Sequence, residues 1–359
     1  MKFLFIVQGE GRGHMTQAIS LADILRAEGH EVVHVLTGKS KRRELPAFFF
    51  QKIKSEVTLF ESPNFVIDAK SKKISLWKTI VYNVFKLGTF IKSLRQIHRI
   101  VKTTKPDVII NFYDLLSGLY SLTYRPKQKY ICIGHQFLLN HPDFTFPKGY
   151  AVDKILMKIN TAFTSIRADR HLALSFRPMP DVPDKKIYVV PPLLRVEITR
   201  LLVENKKYIL GYLLNAEYGL EIENWHKNHP ELELHFFWDK KDVPEEYTVH
   251  PNLTFHKLND VKFLEMMSKC GAYCSTAGFE SICEAMYLGK PIMMVPSYGH
   301  FEQACNALDA TLAGAGIQNV VFNLDPFIEY IPNHKDISGE FRKWADSSRR
   351  KFIELLTSN

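Results

Sequence analysis

The sequence predicts an α/β protein made of two similar halves, each a parallel sheet flanked by helices. Three observations carry this. Strand-length apolar runs alternate with helix-length amphipathic runs. The alternation restarts after Pro191-Pro192. The length, 359 residues with 46% hydrophobic and 24% charged, suits two buried cores at roughly 100–200 residues per domain.

The elements follow in order. Residues 3–7 are a solid apolar run and read as the first strand. Residues 16–28 place apolar side chains at 18, 19, 21, 22, 24 and 25, one helical face. Strands are predicted at 31–36, 108–110, 130–133, 171–174 and 187–190, with helical patterns between them. The second half reads as strand 208–213, helix 216–228, strands 232–238 and 253–256, and a capped helix 260–268. Strand 272–275, helix 279–288, strand 291–295 and helix 300–313 come next, and residues 339–356 form one last amphipathic helix. The predicted domains are 1–192 and 193–336, with 337–359 as a terminal helix.

Composition excludes several classes. The five cysteines (132, 270, 274, 283 and 305) are odd in number and include no CxxC, which fits free thiols in a reducing cytoplasm. The apolar start runs into Gly9, Glu10 and Arg12 with no signal-peptide pattern, and no run of 18 apolar residues is present. Net charge is +9, unevenly spread: residues 39–105 hold sixteen Lys and Arg against four acids, which leaves the rest of the chain at −3. Such a field on one face points to an anionic partner.

After the first strand stands Gly9-Glu10-Gly11-Arg12-Gly13-His14. Glycines let backbone approach a ligand closely, and a helix N-terminus offers free N–H groups. A dinucleotide site would want GxGxxG and an acid ending the second strand. Here His14 takes the sixth position and Leu36-Thr37-Gly38-Lys39 has no acid, which argues against nicotinamide or flavin. An imidazole titrates near neutral pH, so His14 is a candidate general base, with a helix cap as the plain alternative.

The stronger signal lies further on. Ser275-Thr276-Ala277-Gly278 opens a helix whose N–H groups suit a diphosphate without a metal. Glu284 follows one and a half turns later, and a carboxylate accepts two hydrogen bonds from a ribose diol. Glu302 and Gln303 start the next helix and suit sugar hydroxyls; the plain alternative for all three is ordinary helix chemistry. No Asp stands two residues from another, so no Asp-x-Asp is present to carry a divalent cation.

This block, through Gly289-Lys290-Pro291 and on to Asn306-Ala307, resembles the C-terminal signature of GT-B glycosyltransferases. It is most similar to the group of the peptidoglycan lipid II N-acetylglucosaminyltransferase and the UDP-glucuronosyltransferases. The Gly-x-Gly-x-Gly-His loop resembles the same group. The resemblance implies two Rossmann-like domains with a terminal helix crossing back to the first. It places Ser275, Thr276, Ala277 and Gly278 at the donor diphosphate, Glu284 at the ribose of a uridine nucleotide, and Glu302 and Gln303 at the donor sugar. Residues 255–258, including His256 and Leu258, match where the family reads uracil by backbone groups. The usual Gly-Gly-Ser is replaced by Gly211-Tyr212-Leu213-Leu214-Asn215, so the contact of Asn215 with phosphate is an expectation by position.

Residues 74–102 are basic and aromatic, with apolar positions at 76, 77, 80, 81, 84, 87, 91, 94, 97 and 101. They read as a surface helix, or as an interfacial helix on an anionic membrane with Trp77, Tyr82 and Phe85 near the headgroups, joined by Lys41-Arg42-Arg43 and Phe48-Phe49-Phe50. No nucleic-acid module is recognisable. Asn111 with Asp114, the stretch Gly134-His135-Gln136 with His135 directly after its strand, and His141 are acceptor-side candidates, the last more in keeping with a turn.

The reading is an inverting, metal-independent and cofactor-free glycosyltransferase. It moves a hexose or N-acetylhexosamine from a nucleotide sugar, with UDP the expected carrier, to a hydroxyl of a lipid-linked or glycan acceptor of the cell envelope. The expected place is the cytoplasm, at the inner face of the membrane. A UDP-sugar 2-epimerase and a non-catalytic nucleotide-sugar or lipid-binding protein are the alternatives.

Overall fold

The computed structural model describes residues 1–39, 45–63, 83–240 and 242–358. Lys41-Arg42-Arg43, Trp77 and Tyr82 lie outside the described residues. The chain divides into two compact units: Met1–Phe144 with Lys148–Arg195 and the tail from Asp346, and Val196–Ala345 with Thr145–Pro147.

The first unit runs β1 (Lys2–Val7), α1 (Arg12–Ala27), β2 (Glu31–Lys39), α2 (Ala47–Ile53), β3 (Val57–Glu61), α3 (Leu87–Thr104), β4 (Val108–Phe112), α4 (Leu115–Tyr124), β5 (Lys129–Gly134), α5 (Ala151–Thr164), β6 (Arg170–Leu174) and β7 (Ile187–Val190). Its seven strands lie in the order β3-β2-β1-β4-β5-β6-β7 and pair in parallel. β1 and β4 are buried apart from Lys2, as strands covered on both faces by helices must be. The strand order reverses between β1 and β4. Open sheets of this kind bind ligands at the carboxyl ends of such a pair.

The second unit runs β8 (Tyr208–Leu213), α6 (Tyr218–His226), β9 (Glu233–Trp238), β10 (Glu246–His250), β11 (Leu253–Lys257), α7 (Asp260–Lys269), β12 (Ala272–Ser275), α8 (Phe279–Tyr287), β13 (Ile292–Met294), α9 (Phe301–Leu312), β14 (Gly316–Gln318), α10 (Asp325–Tyr330) and α11 (Ser338–Asp346). The order is β10-β11-β9-β8-β12-β13-β14, reversing between β8 and β12. β10 is the exception to parallel pairing: it turns back antiparallel along β11.

Two expectations change. The single helix over 339–356 is broken near Ser347 into α11 and α12 (Ser348–Thr357), and only the second groups with the first unit. There Lys351 pairs with Asp181 at 3.6 Å, and Arg170 and Lys129 donate to the carbonyls of Leu355 and Ser358. The apolar face expected on α3 also splits. Phe90, Ser93, Ile97 and Val101 form its buried stripe, whereas Val84, Leu87 and Ile91 are exposed.

Candidate functional site

In the first unit α1 starts at Arg12, earlier than its apolar pattern indicates. Gly11 is its cap, without a side-chain hydrogen bond, and Gly13 and His14 lie in its first turn. Gly9 is required by the fold, since a Cβ there would stand 1.8 Å from the carbonyl oxygen of Gly38.

His14 is buried, at 8% exposure. Its Nδ1 lies 3.3 Å from Gln17 Oε1 and its Nε2 lies 3.4 Å from Gln136 Nε2. The ring stacks near Tyr113 at 5.9 Å. Gln17 Oε1 can only accept and Gln136 Nε2 can only donate. These amide orientations match an imidazole with its proton on Nδ1 and with Nε2 accepting from Gln136.

The acceptor-side candidates separate. His135 is set between Phe144 and Phe176, and its Nδ1 meets the Leu174 carbonyl at 2.7 Å; it fastens the end of β5 to the end of β6. The next residue, Gln136, is the one that reaches His14. His141 closes a turn on the Pro180 carbonyl at 2.9 Å. Asn111 donates to the carbonyls of Asp114 and Thr164 and accepts from the Asp114 N–H at 2.8 Å, so it clamps the β4–α4 turn.

Asp114 itself is 1% exposed and caps α4, accepting the Leu116 N–H at 2.9 Å and the Ser62 hydroxyl at 3.1 Å on the same Oδ1. Burial pushes its carboxyl up to about 7 despite these hydrogen bonds. Asp114 lines an open pocket of about 530 Å³, solvent at its mouth included, over the ends of β1 to β4.

In the second unit the turn from β12 to α8 is left open. Ala277 takes the left-handed φ of +54°, and Gly278 caps α8 with no side-chain bond. The turn is held from behind. Asn306 Nδ2 donates to the Ala277 carbonyl at 3.0 Å, and the Leu214 N–H donates to Thr276 Oγ1 at 3.2 Å. Thr276 thus ties this turn to the one after β8. There the exposed Asn215 accepts the Glu217 N–H at 3.0 Å. Ser275 ends β12, buried.

Glu284 is buried on α8, at 1% exposure. Gln303 spends its carbonyl oxygen on the Ser297 N–H at 2.7 Å, while Glu302 beside it is half-buried. His256 is committed by its side chain. Nε2 meets His235 Nδ1 at 3.0 Å, Nδ1 meets Lys262 Nζ at 3.0 Å, and the ring stacks on Phe237. Burial, with Lys262 and His235 adding, lowers it to about 4, so it stays neutral. The backbone N–H of Lys257 bonds the Glu245 carbonyl. Leu258 is therefore the first residue of that stretch beyond the β10–β11 ladder.

Gln136 is among the acceptor-side candidates of the sequence, whereas Gln17 and Tyr113 are absent from them. Gln17, one helical turn from His14, could have been found by its spacing of three; Tyr113 meets His14 only through the fold.

Two parallel-sheet units, each with a strand-to-helix turn at its reversal point, have the architecture of the GT-B glycosyltransferases. Residues 1–332 match the model of glycosyl transferase family 1, and the chain belongs to that family. It is 26% identical, over 353 residues, to the UDP-N-acetylglucosamine--N-acetylmuramyl-(pentapeptide) pyrophosphoryl-undecaprenol N-acetylglucosamine transferase of Clostridioides difficile strain 630, covering 91% of this chain and 78% of that one. The crystal structure of the kitacinnamycin glycotransferase superposes with a TM-score of 0.65 at 14% identity, covering 99% of this chain and 98% of that one. UGT2 of Phytolacca americana, solved with UDP-2-fluoro-glucose and pterostilbene, gives 0.64 at 11% identity, covering 100% and 95%.

Proposed function

We propose that the protein transfers a hexose or N-acetylhexosamine from a UDP-sugar to a hydroxyl of a lipid-linked or glycan acceptor, with inversion and without a divalent cation. The observation that carries this is the open N-terminus of α8 followed by the buried Glu284. Such a turn stabilises the leaving diphosphate with N–H groups and the helix dipole. Thr276, Ala277 and Gly278 supply the backbone, with Ser275 behind them. Glu284 takes the ribose diol, Leu258 borders the base, and Glu302 with the Gln303 amide meets the sugar hydroxyls. Asn215 borders the phosphates through the Leu214–Thr276 link. The relative's name, with its UDP-sugar and undecaprenol-linked acceptor, supports the same donor and acceptor classes.

On the acceptor side, His14 Nε2 removes the hydroxyl proton as the oxygen attacks the anomeric carbon. Gln17 holds the proton on Nδ1. For the hydroxyl to reach Nε2, the Gln136 amide that meets it must give way.

Titration calorimetry with UDP tests the donor site. Glu284→Ala is expected to weaken binding about tenfold, the loss of a charge-assisted pair of hydrogen bonds. Unchanged affinity removes Glu284 from the site. Turnover in excess EDTA is expected to match that in magnesium.

The basic field over 39–105 belongs to the same proposal as a face for an anionic membrane. Among the described residues no helix is long and apolar enough to cross a membrane. Phe85 is 86% exposed beside Val84, Leu87 and Ile91. On α5, Val152, Ile155, Ile159 and Phe163 form a second exposed stripe at helical spacing. Lys86 is not a free member of this face, because it pairs with Glu61 at 2.9 Å. Co-sedimentation with vesicles of anionic but not zwitterionic lipid checks it.

A further inference from the structure

We infer that His226 and His250 form a binding site for one divalent transition-metal ion of the zinc class, at the base of the second unit. The site stands apart from the transferase reading above and gives the protein a further ligand.

The argument starts from two ring nitrogens. His226 ends α6 and is 1% exposed. Its Nε2 lies 2.9 Å from the Leu232 carbonyl oxygen, which only accepts, so Nε2 carries the proton and Nδ1 keeps a lone pair. That Nδ1 is buried and has no hydrogen-bond partner among the described residues. His250 ends β10, and its Nε2 is likewise buried without a partner. Buried polar atoms are ordinarily paired, so two unpaired nitrogens on neighbouring rings call for a shared ligand. A histidine whose other nitrogen is fixed by a carbonyl is the common form of a metal ligand.

The spacing of the rings suits one ion. Their centroids are 5.8 Å apart and their planes lie within 13° of parallel. Two imidazoles on one zinc ion stand about 5.2 Å apart between centroids at the tetrahedral angle, and about 6.4 Å apart when opposed. The backbone around them is fixed. Asn252, two residues after His250, donates from Nδ2 to the Pro230 carbonyl at 2.8 Å, and its own carbonyl accepts the Leu234 N–H at 2.7 Å. Other histidines of this unit are already engaged. His229 meets the Trp225 carbonyl at 3.0 Å and Asp325 at 3.2 Å, and His235 meets Glu233 and His256, both at 3.0 Å. Among the described residues no third His, Cys, Asp or Glu completes a metal-binding group, so water takes the remaining positions. Imidazole ligands suit zinc, copper and nickel, whereas magnesium prefers oxygen.

Leu232 precedes β9, and His250 pairs with Leu253 at the start of β11. The pair therefore lies at the amino ends of these parallel strands, whereas α8 follows the carboxyl end of β12. An ion there clips the end of α6 to the end of β10 and takes no part in transfer.

The test titrates zinc chloride into the full-length protein at pH 7.5 in a calorimeter, after EDTA treatment and dialysis. One equivalent is expected to bind with a dissociation constant on the order of 10 µM, two protein ligands standing in place of the four of a structural zinc site. Magnesium chloride is expected to give no signal. His226→Gln keeps a donor for the Leu232 carbonyl and removes the lone pair, and His250→Ala removes the other ring. Each is expected to weaken zinc binding by at least about tenfold. Copper(II) in place of zinc reports on the wild type alone: the nitrogen splitting of its electron paramagnetic resonance spectrum is expected to show two coordinated imidazoles. Absent zinc binding, equal binding of magnesium, a folded variant with unchanged zinc affinity, or a single coordinated imidazole overturns the assignment. The copper spectrum decides even if both variants fail to fold.

Discussion

Helices α4 and α8 both begin where a sheet's strand order turns back, yet their first turns are finished differently. α4 carries its own anion: Asp114 is buried at the N-terminus and bonded to the Leu116 N–H. α8 begins at Gly278, which has no side chain to offer, after the left-handed Ala277. The same backbone device is thereby capped by a carboxyl in one unit and left without a side-chain cap in the other. One residue at the cap position is enough to make the difference.

The comparison can be broken from either side. The largest effect is expected at the reacting centre. His14→Ala should lower turnover by about 10²–10⁴, the range for losing a general base, with UDP affinity unchanged. A comparable fall in UDP affinity would make His14 a donor ligand instead. Next comes conversion of the open turn into the closed one. Gly278→Asp has room, since a Cβ there meets only Ser281 Oγ at 3.7 Å. It should reduce UDP affinity by about a hundredfold, while thermal stability holds or rises by a few tenths of a kcal/mol, because Asp caps slightly better than Gly. Retained UDP affinity would mean that the diphosphate does not sit at α8.

The reverse change is read in stability. Asp114 is raised from 3.8 to about 7 in the folded state. Below the unfolded value both states hold the proton and the group costs nothing. As pH rises towards 7 the unfolded chain gives up its proton first, so stability falls, and above 7 the loss is complete. Asp114→Asn does not titrate. In urea melts it should gain on the wild type between pH 3 and pH 8, by at most about 4 kcal/mol for a shift of about three units. A constant difference across that range would place the carboxyl in contact with water. The smallest effect concerns His14. Gln17→Glu puts a charge beside Nδ1 and should move the acid limb of kcat/KM upward by about one pH unit. An unmoved limb would separate Gln17 from the base.

The parallel strands were legible in the sequence because each is a buried apolar run between helical patterns. β10 was not, since three of its five residues are exposed and it is only an edge. β3 and β14 are short and partly exposed, and α2 has just two buried side chains. The donor block could be read because strand, turn and helix are contiguous, so spacing carries its geometry. The acceptor side could not be read the same way. His135 looked chemical because it follows a buried strand, but whether a histidine faces a ligand or a carbonyl is decided by the neighbouring β6. Gln136 gained its place beside His14 from a contact spanning 122 residues. The split faces of α3 and the break at Ser347 likewise depend on what each helix packs against.

The return of α12 to the first unit means that this half is discontinuous along the chain. Its β6–β7 margin is completed by a strap encoded after the whole of the other half, so ribosomes release the first unit unfinished. No single internal cleavage separates the halves with each intact. A fragment ending near Arg195 leaves Arg170 and Lys129 without the tail carbonyls they bind.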